Sequence, residues 1–317
     1  MRDLKSVSDV PHADMNLVVL LGPTAVGKTA LAIRLAGHLS CPIINCDSRQ
    51  IYRGMDIGTA APTLEEVAQV QHYFVRQFDL GQEYSAARYE QDVLALMDDL
   101  SATHRYVLLS GGSMMYVDAV CRGIDDIPTV NPTVRACLKE RFDRDGLAPL
   151  LEELEHLDPE YYRVVDRMNH KRVIHALEIC HTSGCTYTSL RVRATRQRPF
   201  RIIKVGLRRE RQELFDRINR RVDGMMRDGF LDEARRLYPF RHLNALNTIG
   251  YKEMFRVLDG EWELPMAVER IKKNTRVYAK KQMTWYQRDP EIRWFHPDDE
   301  ESIMGYIRQC SVLEDAG

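Results

Sequence analysis

Short unbroken apolar runs alternate with amphipathic stretches along most of this chain. The runs at residues 17–21, 42–46, 73–78, 106–109 and 202–207 are rich in Val, Ile and Leu, the pattern of parallel strands buried on both faces. Residues 28–39 and 85–100 carry helical spacing between them, the second stretch with Ser85 as its N-cap. This alternation predicts a doubly wound α/β core. From residue 128 to about 195 it stops, and charged helical segments follow one another at 132–144, 148–157, 159–165 and 170–181, with Gly184 as a stop. An apolar run returns at 202, so the economical organisation is a helical insertion domain, 128–195, inside a core made of 16–127 and 196–317. The core's last part reads as helices at 212–228, 231–238, 252–258 and 265–288. Residues 1–15 are polar and without period, a loose leader.

Composition narrows the class. With 317 residues, 44% of them apolar and 29% charged, the chain is long enough for about two domains. The apolar run at 17–21 is far too short for a membrane span or a signal segment, so a cytoplasmic protein without a membrane partner is expected. Seven scattered cysteines with no C-x-x-C pair argue against a disulfide framework and against a zinc site. A formal net charge of -1 provides no global attraction to nucleic acid; an RNA partner needs a local basic surface.

The strongest chemical signal is GPTAVGKT at residues 22–29, which follows an apolar run and opens a helical pattern. Gly22, Pro23, Thr24, Ala25, Val26 and Gly27 form a loop whose backbone N–H groups face a diphosphate. Lys28 adds a point charge, and Thr29 adds a hydroxyl for Mg²⁺. The signature predicts a P-loop NTPase-like parallel sheet core, with an ATPase or nucleotide kinase as the default function. Against that default, the run at 106–109 ends in SGGSMMY, residues 110–116, where NTPases place a carboxylate on a later strand. Such a turn receives an oxygen-rich group through backbone N–H donors and Ser113. The acidic residue comes early instead, as Asp47 at the end of the second run, and it reads as a metal ligand, a surface charge or a base.

Taken together, GPTAVGKT (22–29), DSRQIYRGMDIGTA (47–60), GGSMMY (111–116), RINRR (217–221), IGYK (249–252) and TRVYAKKQMTW (275–285) resemble the tRNA dimethylallyltransferase family of bacterial type, in order, from about residue 17 to 290. The resemblance implies transfer of the dimethylallyl group of dimethylallyl diphosphate to N6 of adenosine 37, in the anticodon stem-loop of tRNAs that read codons beginning with U. It makes Asp47 the base, sets Ser113 at the reacting region and turns Arg221 with Lys28 toward the diphosphate. It also implies tRNA contacts at Asp47, Ser48, Arg49 and Gln50, at Ser113, and at Arg135, Lys171, Arg172, Val173, Ile174 and His175. Further contacts fall at Asn247, Thr248, Ile249, Gly250, Tyr251 and Lys252, and at Lys280, Lys281 and Gln282. The cofactor implied is Mg²⁺, and the expected state is a monomer without an obligate protein partner. This chain departs from the family pattern at Ser113 (usually Thr), Ala61 (usually Lys), His175 (usually Arg) and Lys281 (commonly Arg).

The chemistry agrees with those residues. Negative charge grows on the leaving diphosphate of an allylic donor, so cations and N–H donors there stabilise the transition state more than the ground state. The exocyclic amine of adenine is a poor nucleophile and needs a base near its proton. Residues 270–288 hold seven basic side chains and no acidic one, interleaved with Tyr278, Trp285 and Tyr286. They read as a solvated helix face or as an RNA-backbone surface. Arg49 and Gln50 suit either the reading of a splayed base or the capping of local turns. Trp285 suits a core or a base platform, and His72 and His170 read as structural. Two other functions share parts of the signature: an isopentenyltransferase acting on free AMP or ADP, and a nucleotide-dependent RNA-binding regulator without transferase activity.

Overall fold

The computed structural model describes residues 15–125, 127–128, 130–191 and 195–312; the leader expected over 1–15 lies outside it except for Met15. The backbone divides into two compact units, one made of the residues up to 121 together with those from 197 onward, the other of residues 122–196.

The larger unit is built on a six-stranded parallel sheet: β1 (Asn16–Leu21), β2 (Ile43–Asn45), β3 (His72–Tyr73), β4 (Tyr106–Ser110), β5 (Arg201–Leu207) and β6 (Arg293–Phe295). They lie side by side in the order β3-β2-β4-β1-β5-β6. Helices cover both faces, which explains why the strands read as unbroken apolar runs. Leu17, Val19 and Leu21 of β1 join one hydrophobic cluster while Val18 and Leu20 join the other, so every position is buried. The order β2-β4-β1-β5 brings the carboxyl ends of these four strands together, with Asn45 and Leu20 both paired to Ser110 and Leu21 paired to Gly206. Ligands of α/β sheets bind outside such ends, where the strand order reverses.

Two expectations change. The run at 73–78 forms a strand only at His72–Tyr73, because Phe74 and Arg76 adopt left-handed backbone angles of 59° and 51°. The Phe74 carbonyl accepts from the Asn45 side chain at 2.9 Å, and Arg76 turns to Asp56 and the Pro62 carbonyl, so the chain leaves the sheet. The last strand, Arg293–Phe295, escaped notice because it is three residues long, sits at the edge and begins with an exposed Arg. Helices at Leu64–Gln69, Met114–Arg122 and Glu300–Val312 also went unpredicted. The first is opened by a capping box between Thr63 and Glu66.

The smaller unit packs the helices Pro132–Asp145, Ala148–Leu157, Pro159–Val164, His170–Ser183 and Tyr187–Leu190 around Leu138, Leu150, Leu154, Tyr161, Val173 and Leu177. Asp158 caps the third helix through Tyr161 N–H at 3.0 Å and also binds Thr188 through N–H and hydroxyl, each at 2.8 Å.

Candidate active site

Three loops meet where β1, β4 and β2 end. Gly22 has φ 149°, and a Cβ there would lie 2.7 Å from the Leu207 carbonyl oxygen; Gly27 has φ 114° and precedes the helix Lys28–Leu39. The loop needs glycine at both places for backbone reasons before any ligand is considered. Gly111 is forced by close approach as well, since its Cβ would fall 2.0 Å from the Cys46 carbonyl oxygen. That carbonyl accepts the Ser113 N–H at 3.1 Å, which holds the Gly-Gly-Ser turn against the end of β2.

The cleft between these loops has a volume of about 970 Å³. Thr24, Ala25, Gly27, Lys28, Thr29, Asp47, Ser48, Arg49, Gln50, Ser113 and Arg221 line it, as do Asn247, Thr248, Ile249, Gly250, Lys252 and Gln282. Gly22, Pro23 and Val26 are buried behind it. Lys28 Nζ donates to the carbonyls of Gly22 and Pro23, both at 2.9 Å. Burial, and then the charge of Arg221, lower its pKa to about 7. Arg221 donates to Thr24 Oγ1 at 2.9 Å and to the Thr59 carbonyl at 3.1 Å; burial lowers its pKa too, and Asp47 opposes that shift. Two cations thus sit desolvated beside a single carboxylate, an arrangement built to receive an anion.

Asp47 is half-buried, and its Oδ1 accepts from the N–H groups of Arg49 at 2.9 Å and Gln50 at 3.3 Å. The side chains of those two residues are engaged within the protein here. Arg49 donates to the carbonyls of Asn244 and Ala245, and Gln50 to those of Thr59 and Ala60.

Of the positions expected at the RNA, Gly250 is buried beside the cleft, and three side chains are buried as well. Tyr251 is 0% exposed and donates its hydroxyl to Glu233 at 2.7 Å. Val173 is 0% exposed in the core of the helical unit. Gln282 is 1% exposed and joins Thr24 to Gly112. Each falls on the inward side of a helix whose neighbours face out, and a motif quoted as a block does not separate the two faces. Lys171, Arg172 and His175 are exposed and Ile174 is half-buried. Arg135 and His175 both reach Glu178, at 2.9 and 3.4 Å.

On the Leu264–Tyr286 helix, Lys273, Lys280 and Lys281 are exposed, whereas Lys272 is paired with Asp223 at 2.8 Å and Glu269 at 3.0 Å. Trp285 packs against the core and donates its indole N–H to Asp118 at 2.9 Å, which favours the core role.

Two supporting residues, Arg209 and Glu233, carry no signal in the sequence. Arg209, just after β5, donates to the Val26 carbonyl at 2.9 Å while its guanidinium binds Asp298 at 2.8 Å. Arg217 does the same for the Ala25 carbonyl at 2.9 Å. Glu233, 1% exposed, accepts the N–H groups of Asp56, Ile57 and Gly58 at 3.0, 2.8 and 2.8 Å. Neither Arg209 nor Glu233 carries a local signal, because their partners lie 183 and about 176 positions away.

Among the described residues no group of three or more His, Cys, Asp or Glu side chains is placed to hold a metal. The Thr29 hydroxyl in the cleft fits the way Mg²⁺ is held beside phosphates, by few protein ligands and mostly by substrate oxygens and water.

A phosphate loop, two half-buried basic side chains, a strand-end carboxylate and a hydroxyl-bearing turn at the carboxyl end of a parallel sheet define a P-loop-type enzyme that handles a diphosphate. The family described as IPP transferase matches residues 50–289. The chain is 59% identical over 295 residues to tRNA dimethylallyltransferase 1 of Phocaeicola vulgatus, covering 93% of this chain and 98% of that one. It is 58% identical over 294 residues to tRNA dimethylallyltransferase 2 of Parabacteroides distasonis, with the same two coverages. The crystal structure of the full-length tRNA isopentenylpyrophosphate transferase from Bacillus halodurans superposes with a TM-score of 0.68 at 35% identity, over 95% of this chain and 99% of that one. The chain belongs to the IPP transferase family and is a transferase.

Proposed function

We propose that the protein transfers the dimethylallyl group from dimethylallyl diphosphate to N6 of adenosine 37 in tRNAs reading codons that begin with U. The observation that carries this is the meeting of Lys28, Arg221 and Asp47 in one cleft, two cations for a leaving diphosphate beside one carboxylate for an incoming amine. The C1–O bond of the donor breaks as the N6–C1 bond forms. Lys28, Arg221 and the loop N–H groups take up the charge that grows on the diphosphate, and Asp47 takes the amine proton. Ser113 lies on the turn facing the reacting atoms. The Thr29 hydroxyl would hold Mg²⁺ beside the diphosphate, where the ion would supply further charge neutralisation.

The RNA side rests on exposed cations, Lys280 and Lys281 on the long helix and Lys171 and Arg172 in the helical unit, with the polar His175 exposed and Arg135 reaching the same Glu178. Arg49 and Gln50 exchange their loop carbonyls for the splayed base. Among the described residues no helix is long and apolar enough to cross a membrane; we infer a cytoplasmic monomer.

The test is incubation with dimethylallyl diphosphate and, in separate arms, total tRNA, AMP and ADP, followed by nucleoside analysis. N6-dimethylallyladenosine in the tRNA arm alone is the expected result. Product only from the free nucleotides overturns the proposal, and ATP hydrolysis without prenyl transfer assigns the protein to the regulator class.

A further inference from the structure

Gln282 sits one residue from the exposed Lys281 but points inward, with its two amide ends used on two different loops of the site. Its Oε1 accepts the Thr24 N–H at 2.8 Å, and its Nε2 donates to the Gly112 carbonyl at 2.7 Å. Only one orientation of a primary amide satisfies both bonds, and no other side chain of this length offers an acceptor and a neutral donor together. Tyr278, one helical turn earlier, adds a longer bond to the same Gly112 carbonyl at 3.4 Å.

The geometry points to Gln282 as the positioning residue that latches the phosphate loop to the Gly-Gly-Ser turn and so sets the diphosphate cradle, a role that rests on the proposed transferase function. Thr24 N–H and Pro23 C=O belong to one trans peptide and point to opposite sides of it. Lys28 Nζ holds the carbonyl side at 2.9 Å, and Gln282 holds the N–H side. When a diphosphate draws Lys28 away from Pro23, the peptide keeps only the longer Val26 N–H bond to its carbonyl, at 3.3 Å, and the Gln282 bond to its N–H at 2.8 Å, so Gln282 is its main restraint against turning. Its other end fixes the Gly112 peptide, whose Cα side faces Lys28: a Cβ built on Gly112 lies 3.9 Å from Lys28 Nζ and 2.5 Å from Gln282 Nε2. Gly112 is therefore open to no side chain while the latch is closed. The latch also joins the helix that carries Lys280 and Lys281 to the donor loop through a single side chain.

Binding of inorganic diphosphate, measured by calorimetry, tests this directly, beside the KM for dimethylallyl diphosphate and the Kd for tRNA. Gln282→Met keeps the length and removes both bonds; it is expected to weaken diphosphate binding and raise the donor KM by about five- to tenfold, the scale of lost hydrogen bonds, with tRNA affinity unchanged. Gly112→Ala attacks the latch from the other side and is expected to weaken diphosphate equally. In the Gln282→Ala background Gly112→Ala adds little, because the clash has lost its partner, and that non-additivity is what a residue stabilising the fold alone does not produce. A fall in tRNA affinity with diphosphate binding intact overturns the latch and makes Gln282 an RNA contact. Unchanged diphosphate binding, or additive effects of the two substitutions, overturns it as well. Should Gln282→Met not fold, Gly112→Ala and its double with Gln282→Ala decide the matter. If the wild type transfers no prenyl group, the function fails while the diphosphate arm still judges the latch.

Discussion

Arg221 donates to the hydroxyl of Thr24 at 2.9 Å, so its guanidinium lies inside the phosphate loop, on a neutral acceptor. That placement is the second cause, after burial, of the pKa of about 7 at Lys28. A lysine lowered from 10.5 to about 7 leaves the empty folded protein binding fewer protons than the unfolded chain between those values, so this group's contribution to stability rises as pH climbs through that window. A bound diphosphate restores the charge. Donor binding at pH 8.5 is expected to take up about one proton, read by calorimetry in two buffers of different ionisation enthalpy. Lys28→Met removes the uptake; uptake that persists in this variant puts the proton elsewhere.

Asp47 has two duties that one substitution separates. Its Oδ1 holds the turn through Arg49 and Gln50 N–H, an acceptor role that asparagine keeps, whereas only the carboxylate takes a proton. Asp47→Asn is expected to fold and bind donor as the wild type does, with single-turnover transfer slower by about 10² or more. Asp47→Ala loses the turn bonds as well and is expected to weaken tRNA binding. Transfer by the Asn variant within threefold of wild type removes Asp47 from the chemistry.

Strands β1, β2, β4 and β5 and the phosphate loop were legible in the chain because each has a local cause. Buried parallel strands are unbroken apolar runs, and glycine marks the tight backbone at Gly22 and Gly111. The supports of the site were not legible. Glu233 and Arg209 act on loops far away in sequence, and a buried carboxylate on a helix looks like any surface acid until the fold is known. The inward turn of Gln282, Tyr251 and Val173 was missed for another reason. Each lies beside an exposed basic residue, and a motif gives residue types without the face they occupy.

Glu233 organises the segment Asp56–Gly58, after which the Thr59 carbonyl meets Arg221 at 3.1 Å and Gln50 at 3.1 Å. Gly58 is packed so closely under Phe230 and Tyr251 that its Cβ would lie 2.3 Å from the Phe230 ring. Glu233→Ala leaves three backbone N–H groups and the Tyr251 hydroxyl without their acceptor. At about 1–3 kcal/mol for each unsatisfied group, the expected loss is about 4 kcal/mol or more, measured by the midpoint of urea unfolding. The surviving folded protein is expected to show a raised donor KM, because Arg221 loses its anchor at Thr59. A change below about 1 kcal/mol would mean that water replaces the carboxylate.

The long helix distinguishes cations available to RNA from cations already paired. Lys281 is exposed, whereas Lys272 is held by Asp223 and Glu269. Each lysine that neutralises a phosphate releases counterions, and its loss lowers the slope of log K against log salt by up to about one. Lys281→Ala is therefore expected to weaken tRNA binding at low salt and flatten that slope, and Lys280→Ala to do the same. Lys272→Ala is expected to leave the slope unchanged, although it releases Asp223 and Glu269 as two unpaired surface acids. Filter binding across a salt series separates the cases. A Lys272 effect equal to that of Lys281 would mean that net charge alone governs association and that no particular face of the helix meets the RNA.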